Sequence, residues 1–127
     1  MSFLRRAASS AEISVFGDGS TSRDYTYIDD IVSGVLAAWD RIGTPAIPGF
    51  RIWNLGGNRP VTLADMLATI ERVVGKKLNI TRLPMQAGDV ERTWADLTRS
   101  GAELGYAPKT GFEEGVRRQW EWVRSAL

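Results

Sequence analysis

Three apolar stripes of helical period have only three short strand-like runs to cover them, and this imbalance limits what the 127 residues can fold into. Ile28, Ile31, Val32, Val35, Leu36 and Trp39 fall at i, i+3, i+4, i+7, i+8 and i+11, one face of a helix. Leu63, Met66, Leu67, Ile70, Val73 and Val74 form a second stripe, and Phe112, Val116, Trp120 and Val123 a third. Strand propensity is confined to residues 13–16, 51–55 and 78–83. So small a sheet leaves an edge and a face in want of a partner.

The punctuation agrees with that division. Thr26 with Asp29, Thr62 with Asp65, and Thr110 with Glu113 have the spacing of capping pairs, and Asp96 is placed to start a short helix ending at Glu103 or Leu104. Gly43 with Pro45, Gly75, and Gly105 with Pro108 are stops. The expected order is β-α-β-α-β-α-α: mixed α/β, a small partial sheet with about four helices, in a single domain over residues 1–127. Ile52 and Trp53 are apolar neighbours, so residues 52–55 read as a strand buried on both faces. Met1 runs almost directly into a strand, as if the chain were part of a larger fold.

Composition removes several chemistries. With no Cys and no His there is no disulfide framework, thiol nucleophile, Cys/His zinc site or Ser-His triad. Lys occurs only at Lys76, Lys77 and Lys109 and every other basic residue is Arg, the planar fork suited to carboxylate and phosphate. A net charge of +1 argues against a domain-wide nucleic-acid footprint. No apolar run approaches a membrane span and no apolar stretch follows Arg5-Arg6, so neither a membrane anchor nor a signal peptide is expected. The expectation is a soluble, cytoplasmic protein.

Singly, the polar clusters carry ordinary structural readings. Gly17-Asp18-Gly19 is a tight turn without the spacing of a dinucleotide fingerprint or P-loop. Arg23-Asp24 beside Tyr25 and Tyr27 reads as a solvated loop, Asp29-Asp30 as helix-start acids, Asn54 as a turn residue bonding its own backbone, and Gln86 with Asp89, Glu91 and Arg92 as a polar loop. Trp94, Trp120 and Trp122 read as core or half-buried packing.

Together the phrases are specific. Phe16-Gly17-Asp18-Gly19-Ser20-Thr21-Ser22-Arg23-Asp24-Tyr25-Thr26-Tyr27-Ile28-Asp29-Asp30-Ile31 resembles the segment opening the C-terminal region of NAD-dependent epimerase/dehydratases, the extended short-chain dehydrogenase/reductases of nucleotide sugars. Trp53-Asn54-Leu55-Gly56-Gly57 is similar to their Tyr-Asn-Leu-Gly strand end, with Trp for Tyr. Leu83-Pro84-Met85-Gln86-Ala87-Gly88-Asp89-Val90, followed by Thr93-Trp94-Ala95-Asp96, resembles the form in UDP-glucuronate 4-epimerases. Leu104-Gly105-Tyr106-Ala107-Pro108 and Phe112-Glu113-Glu114-Gly115 follow in the same order. The resemblance covers nearly everything from about Ile13.

It implies a C-terminal fragment of an extended short-chain dehydrogenase/reductase fold, without the Rossmann half. The family's Gly-rich pyrophosphate loop has no counterpart here. Nor does its Tyr-x-x-x-Lys: Tyr25, Tyr27 and Tyr106 are followed four residues on by Asp29, Ile31 and Thr110. No catalytic residue, metal or bound cofactor is therefore expected in this chain, NAD belonging to the full-length family, and the isolated chain is expected to be inactive. By the same resemblance, residues 52–55 join the parent Rossmann sheet. Arg23 would contact the UDP phosphates and Asp89 a ribose hydroxyl, with Gln86 and Arg92 nearby and Ser22 and Tyr25 orienting the arginine.

The implied role is the nucleotide-sugar-binding portion of a UDP-sugar epimerase, working with a separately encoded Rossmann subunit or as a homodimer, and binding UDP-sugars weakly if at all. The alternatives are a non-enzymatic self-associating scaffold or remnant, and a UDP-sugar sensor.

Overall fold

The computed structural model describes residues 2–42 and 49–126. The elements in chain order are α1 (Ser2–Ala8), β1 (Ile13–Phe16), β2 (Ser22–Arg23), α2 (Ile28–Ile42), β3 (Val61–Thr62), α3 (Leu63–Val74), β4 (Ile80–Leu83), α4 (Thr98–Leu104) and α5 (Phe112–Ser125). The fold is mixed α/β. β1 and β4 pair in parallel with Ile13 opposite Ile80 and Phe16 opposite Leu83, and β2 and β3 form a two-residue antiparallel ladder.

The core lies where α1, α3 and α5 meet on β1. Leu4 and Ala7 of α1, Ile13 and Val15 of β1, Met66, Leu67 and Ile70 of α3, and Val116 and Val123 of α5 are all buried. Two of the three expected stripes are thus core stripes. α3 starts as its sequence dictates: the Thr62 hydroxyl accepts from Asp65 N–H at 3.0 Å and donates to the Asp65 carboxylate at 2.7 Å. Gly75, left-handed at φ 75°, closes it by donating its N–H to the Glu71 carbonyl.

The third stripe has a different fate. Only Asp30 and Gly34 of α2 are buried. Ile28, Val32, Val35, Leu36, Trp39 and Ile42 are all exposed, Trp39 to 77%. Among the described residues, the face left without a partner is the outer face of α2.

Several local expectations are corrected. The chain enters through a helix, α1, and not directly into a strand, because Leu4 and Ala7, one turn apart, both seal the core. This makes five helices among the described residues instead of about four. Residues 52–55 pair with no strand among the described residues. They are held by side chains: Trp53 Nε1 donates to Glu103 at 2.7 Å, Asn54 Nδ2 to the Asp96 carbonyl at 3.2 Å, and Arg99 to the Ile52 carbonyl at 3.2 Å. Asn54 therefore bonds across to another loop, not to its own turn, and Ile52 is exposed.

Thr110 and Glu113 form no capping box. Gly111 holds the N-cap position of α5 without a side-chain bond, and Glu113 instead pairs with Arg72 at 2.9 Å. Asp96 does accept from Thr98 N–H at 2.9 Å at the start of α4. Trp94 and Trp122 are more than half exposed, contrary to a core reading, whereas Trp120 packs against the core. The expected stop at Gly43 and Pro45 lies outside the described residues.

Candidate functional site

The β2–β3 ladder, too short to announce itself in sequence, organises the polar cluster. Ser22 pairs with Thr62 on one side and bridges Arg92 in parallel on the other. Ser22 N–H donates to the Glu91 carbonyl at 2.9 Å, and Thr93 N–H returns to the Ser22 carbonyl at 3.1 Å. The chain from 86 to 93 is thereby laid alongside Ser22 and Arg23.

This arrangement brings Arg23 and Asp89 into an ion pair at 2.6 Å, with side chains 27% and 39% exposed. The second guanidinium nitrogen of Arg23 donates to the Ser22 carbonyl at 2.9 Å, so Ser22 orients the arginine through its backbone. Asp89 sits in a tight turn whose N–H reaches the Gln86 carbonyl at 3.2 Å. Gln86 thus enters the cluster through its main chain. Arg92 stacks its guanidinium 4.7 Å from the Trp94 ring centre, and Trp94 Nε1 donates to Asn58 at 3.1 Å.

Tyr25 faces elsewhere. Its hydroxyl donates to Met66 Sδ at 3.1 Å and its ring lies 5.1 Å from that of Phe112. It does not bond Arg23. Burial pushes its phenol above the usual value, with the Arg23 charge opposing. Of the five expected residues, Arg23, Asp89, Gln86, Arg92 and Tyr25, Tyr25 alone lines a mainly apolar groove of about 700 Å³ between α1, α2, α3 and α5, with Phe3, Ile31, Phe112 and Trp122.

Two aspartates, one read as part of a solvated loop and the other as a helix-start acid, are long-range supports. Asp24 follows Arg23 directly. Its carboxylate accepts from Arg59 N–H at 3.3 Å and from Ala95 N–H at 3.2 Å, and its own N–H donates to the Thr93 hydroxyl. It ties both flanking loops to the strand bearing Arg23. Gly56 and Gly57 permit this approach: a β-carbon on Gly56 would stand 2.7 Å from the Asp24 carboxylate, and one on Gly57 would collide with the Tyr25 carbonyl. Asp30, 7% exposed, accepts from Lys109 and Thr110 N–H, both at 3.0 Å. Burial pushes its carboxyl up, but those hydrogen bonds and the Lys109 charge together outweigh burial and hold it below its ordinary value. No local signal marked Asp24, because Gly56 and Gly57, which it approaches, lie far along the sequence. Nothing local distinguished Asp30 from Asp29.

The turn at 17–19 is a tight, Gly-flanked loop that leads into β2. Gly17 and Gly19 have φ of 75° and 100°, Asp18 accepts from Ser20 N–H at 2.8 Å, and the chain continues into β2 and not a helix. Among the described residues, no group of three acidic side chains could hold a metal ion. No described helix is long and apolar enough to cross a membrane.

A family model described as GDP-mannose 4,6 dehydratase matches residues 1–119. An uncharacterized protein of Methanocaldococcus jannaschii is 41% identical over 120 residues, covering 94% of this chain and 35% of that protein. A UDP-glucuronate 4-epimerase of Thermodesulfobacterium geofontis is 35% identical over 126 residues, covering 98% of this chain and 37% of the relative. The crystal structure of UDP-glucuronic acid 4-epimerase from Bacillus cereus, in complex with UDP-glucuronic acid and NAD, superposes with a TM-score of 0.88 at 26% identity, over 98% of this chain and 39% of that one. The chain spans little more than a third of the length of these relatives. It belongs to the NAD-dependent epimerase/dehydratase family, the extended short-chain dehydrogenase/reductases, and is a portion of that fold.

Proposed function

We propose that this chain is the nucleotide-sugar-binding portion of a UDP-sugar epimerase, holding the diphosphate on Arg23 and a ribose hydroxyl on Asp89. The observation that supports this most is the meeting of Arg23 and Asp89 at 2.6 Å although 66 residues separate them in sequence. A guanidinium fork fits a diphosphate, and an ionised carboxylate accepts from sugar hydroxyls. Gln86 lies in the turn that ends at Asp89, Arg92 is bridged to Ser22, and Tyr25 belongs to the adjoining apolar groove. The hydride chemistry of an epimerase lies with a cofactor-binding Rossmann half carrying NAD, since no described residue here supplies a pyrophosphate cradle and no Tyr-x-x-x-Lys is present. That half would cover the outer face of α2 and receive residues 52–55 as a strand. With only this wall of the cleft, the chain alone binds UDP in the millimolar range.

Calorimetric titration with UDP and UDP-glucuronate, repeated on Arg23→Ala, tests the reading. Saturable millimolar binding that Arg23→Ala abolishes is expected. No heat at saturating nucleotide, or binding indifferent to the substitution, would overturn it. A second reading, a self-associating scaffold, draws on the same exposed face of α2. Light scattering after size exclusion separates the two: a homodimer without nucleotide binding favours the scaffold.

A further inference from the structure

We infer that two copies of this chain associate through the outer face of α2, laid antiparallel about a two-fold axis at Val35, with Trp39 of each copy seated in the apolar groove of the other. This goes beyond the nucleotide reading and stands whether or not UDP binds.

The stripe on α2 is its own complement. Ile28, Ile31, Val35, Trp39 and Ile42 are spaced 3, 4, 4 and 3 residues apart, a pattern that reads the same from either end. They fall within about 80° of the helix circumference, and no charged residue of α2 lies in that arc. In an antiparallel pair centred on Val35, Ile28 stands level with Ile42 of the second copy, Ile31 with Trp39, and Val35 with itself. Apolar side chains thus meet apolar side chains at every level of the contact. The groove lies where this register requires it. Ile28 and Ile31, level with Ile42 and Trp39 of the second copy, also line the groove of about 700 Å³, together with Trp122, itself more than half exposed. The Trp39 indole, 77% exposed on its own helix, finds an apolar seat there, and a seated Trp is the side chain that most often dominates an interface. Ile28, Val32, Val35, Leu36, Trp39 and Ile42 are each 45–77% exposed. At about 100 Å² apiece they present on the order of 600 Å² per copy, so the pair clears the ~1,000 Å² of a specific contact. A cofactor-binding half that uses the same face must displace the second copy, so the two partners exclude each other.

Light scattering after size exclusion of the full chain, without nucleotide, reads the association. A dimer near ~0.5 mM that dissociates to monomer near ~1 µM is expected for a contact of this size. Val35→Glu sets like charges against each other at the axis and should weaken dimerisation at least about tenfold, as should Val35→Lys. An equimolar mixture of the two should dimerise again, because each glutamate then faces a lysine, and only a residue on the axis gives this rescue. Trp39→Ser, which empties the seat in the groove, should also weaken the dimer by at least about tenfold. Circular dichroism at micromolar concentration establishes that each variant is folded. A monomer at ~0.5 mM, a dimer indifferent to Val35→Glu, or a mixture that stays monomeric would overturn the inference. Because no nucleotide is present, a monomeric chain that binds UDP refutes this interface alone, and a dimer that binds none refutes only the nucleotide reading.

Discussion

Asp30 joins the first turn of α2 to the loop that precedes α5, and replacing it should be among the most damaging single changes outside the apolar core. Its carboxylate is 7% exposed and accepts two backbone N–H groups, from Lys109 and Thr110, at 3.0 Å each. Asp30→Ala strands both donors away from a good partner, a loss of about 2–4 kcal/mol at the usual cost of an unmet buried group. Asp30→Asn keeps one acceptor and should lose about half as much. In urea this corresponds to a midpoint lowered by about 2 M for the alanine variant, read from tryptophan fluorescence. The pH dependence has a defined sign. Because hydrogen bonding holds the folded carboxyl below its ordinary value of 3.8, its stabilisation is complete above that value and disappears as pH falls through the lower, folded one. The asparagine variant should lack that part of the acid loss. A midpoint within about 0.3 M of the parent for Asp30→Ala would refute the support assigned to this residue.

Gly57→Ala should destabilise by at least about 2 kcal/mol, because the added methyl meets the Tyr25 carbonyl and backbone cannot yield as a side chain does. The same unfolding assay reads it. Trp39→Ser should leave stability within about 0.5 kcal/mol, since the indole is 77% exposed, yet weaken binding of a cofactor-binding half in a pull-down. A large stability loss instead would mean that the outer face of α2 is covered within the chain itself.

What the sequence revealed and what it hid divide by the range of the interactions. The cap of α3 and its Gly75 stop are local, each closing within four residues, and so could be read directly. The stripe of α5 was legible because Val116 and Val123 recur on one face of a long helix. α1 offers only seven residues, too few for periodicity to declare itself. The β2–β3 ladder has two residues per strand and no alternation to show. Residues 52–55 carry a strand's pattern without a neighbouring strand among the described residues, because propensity states what a segment can do and only a partner strand realises it. Asp24 and Asp30 were misread for one reason: their backbone partners lie 35 to 80 residues away, while the readings offered for them were local. Arg23 and Asp89 were named through the family resemblance, but their mutual ion pair was not foreseen, because spacing alone cannot bring two distant loops together.

The central claim is that UDP is held between the β2 strand and the turn at 86–89, and amide shift mapping tests it most directly. Titration of the labelled chain with UDP should move the resonances of Ser22, Arg23, Gly88, Asp89 and Arg92, saturating in the millimolar range. The far groove lined by Arg72, Glu113 and Trp120 should stay unmoved. Shifts confined to that groove or to the outer face of α2, or no shifts at saturating UDP, would contradict the account.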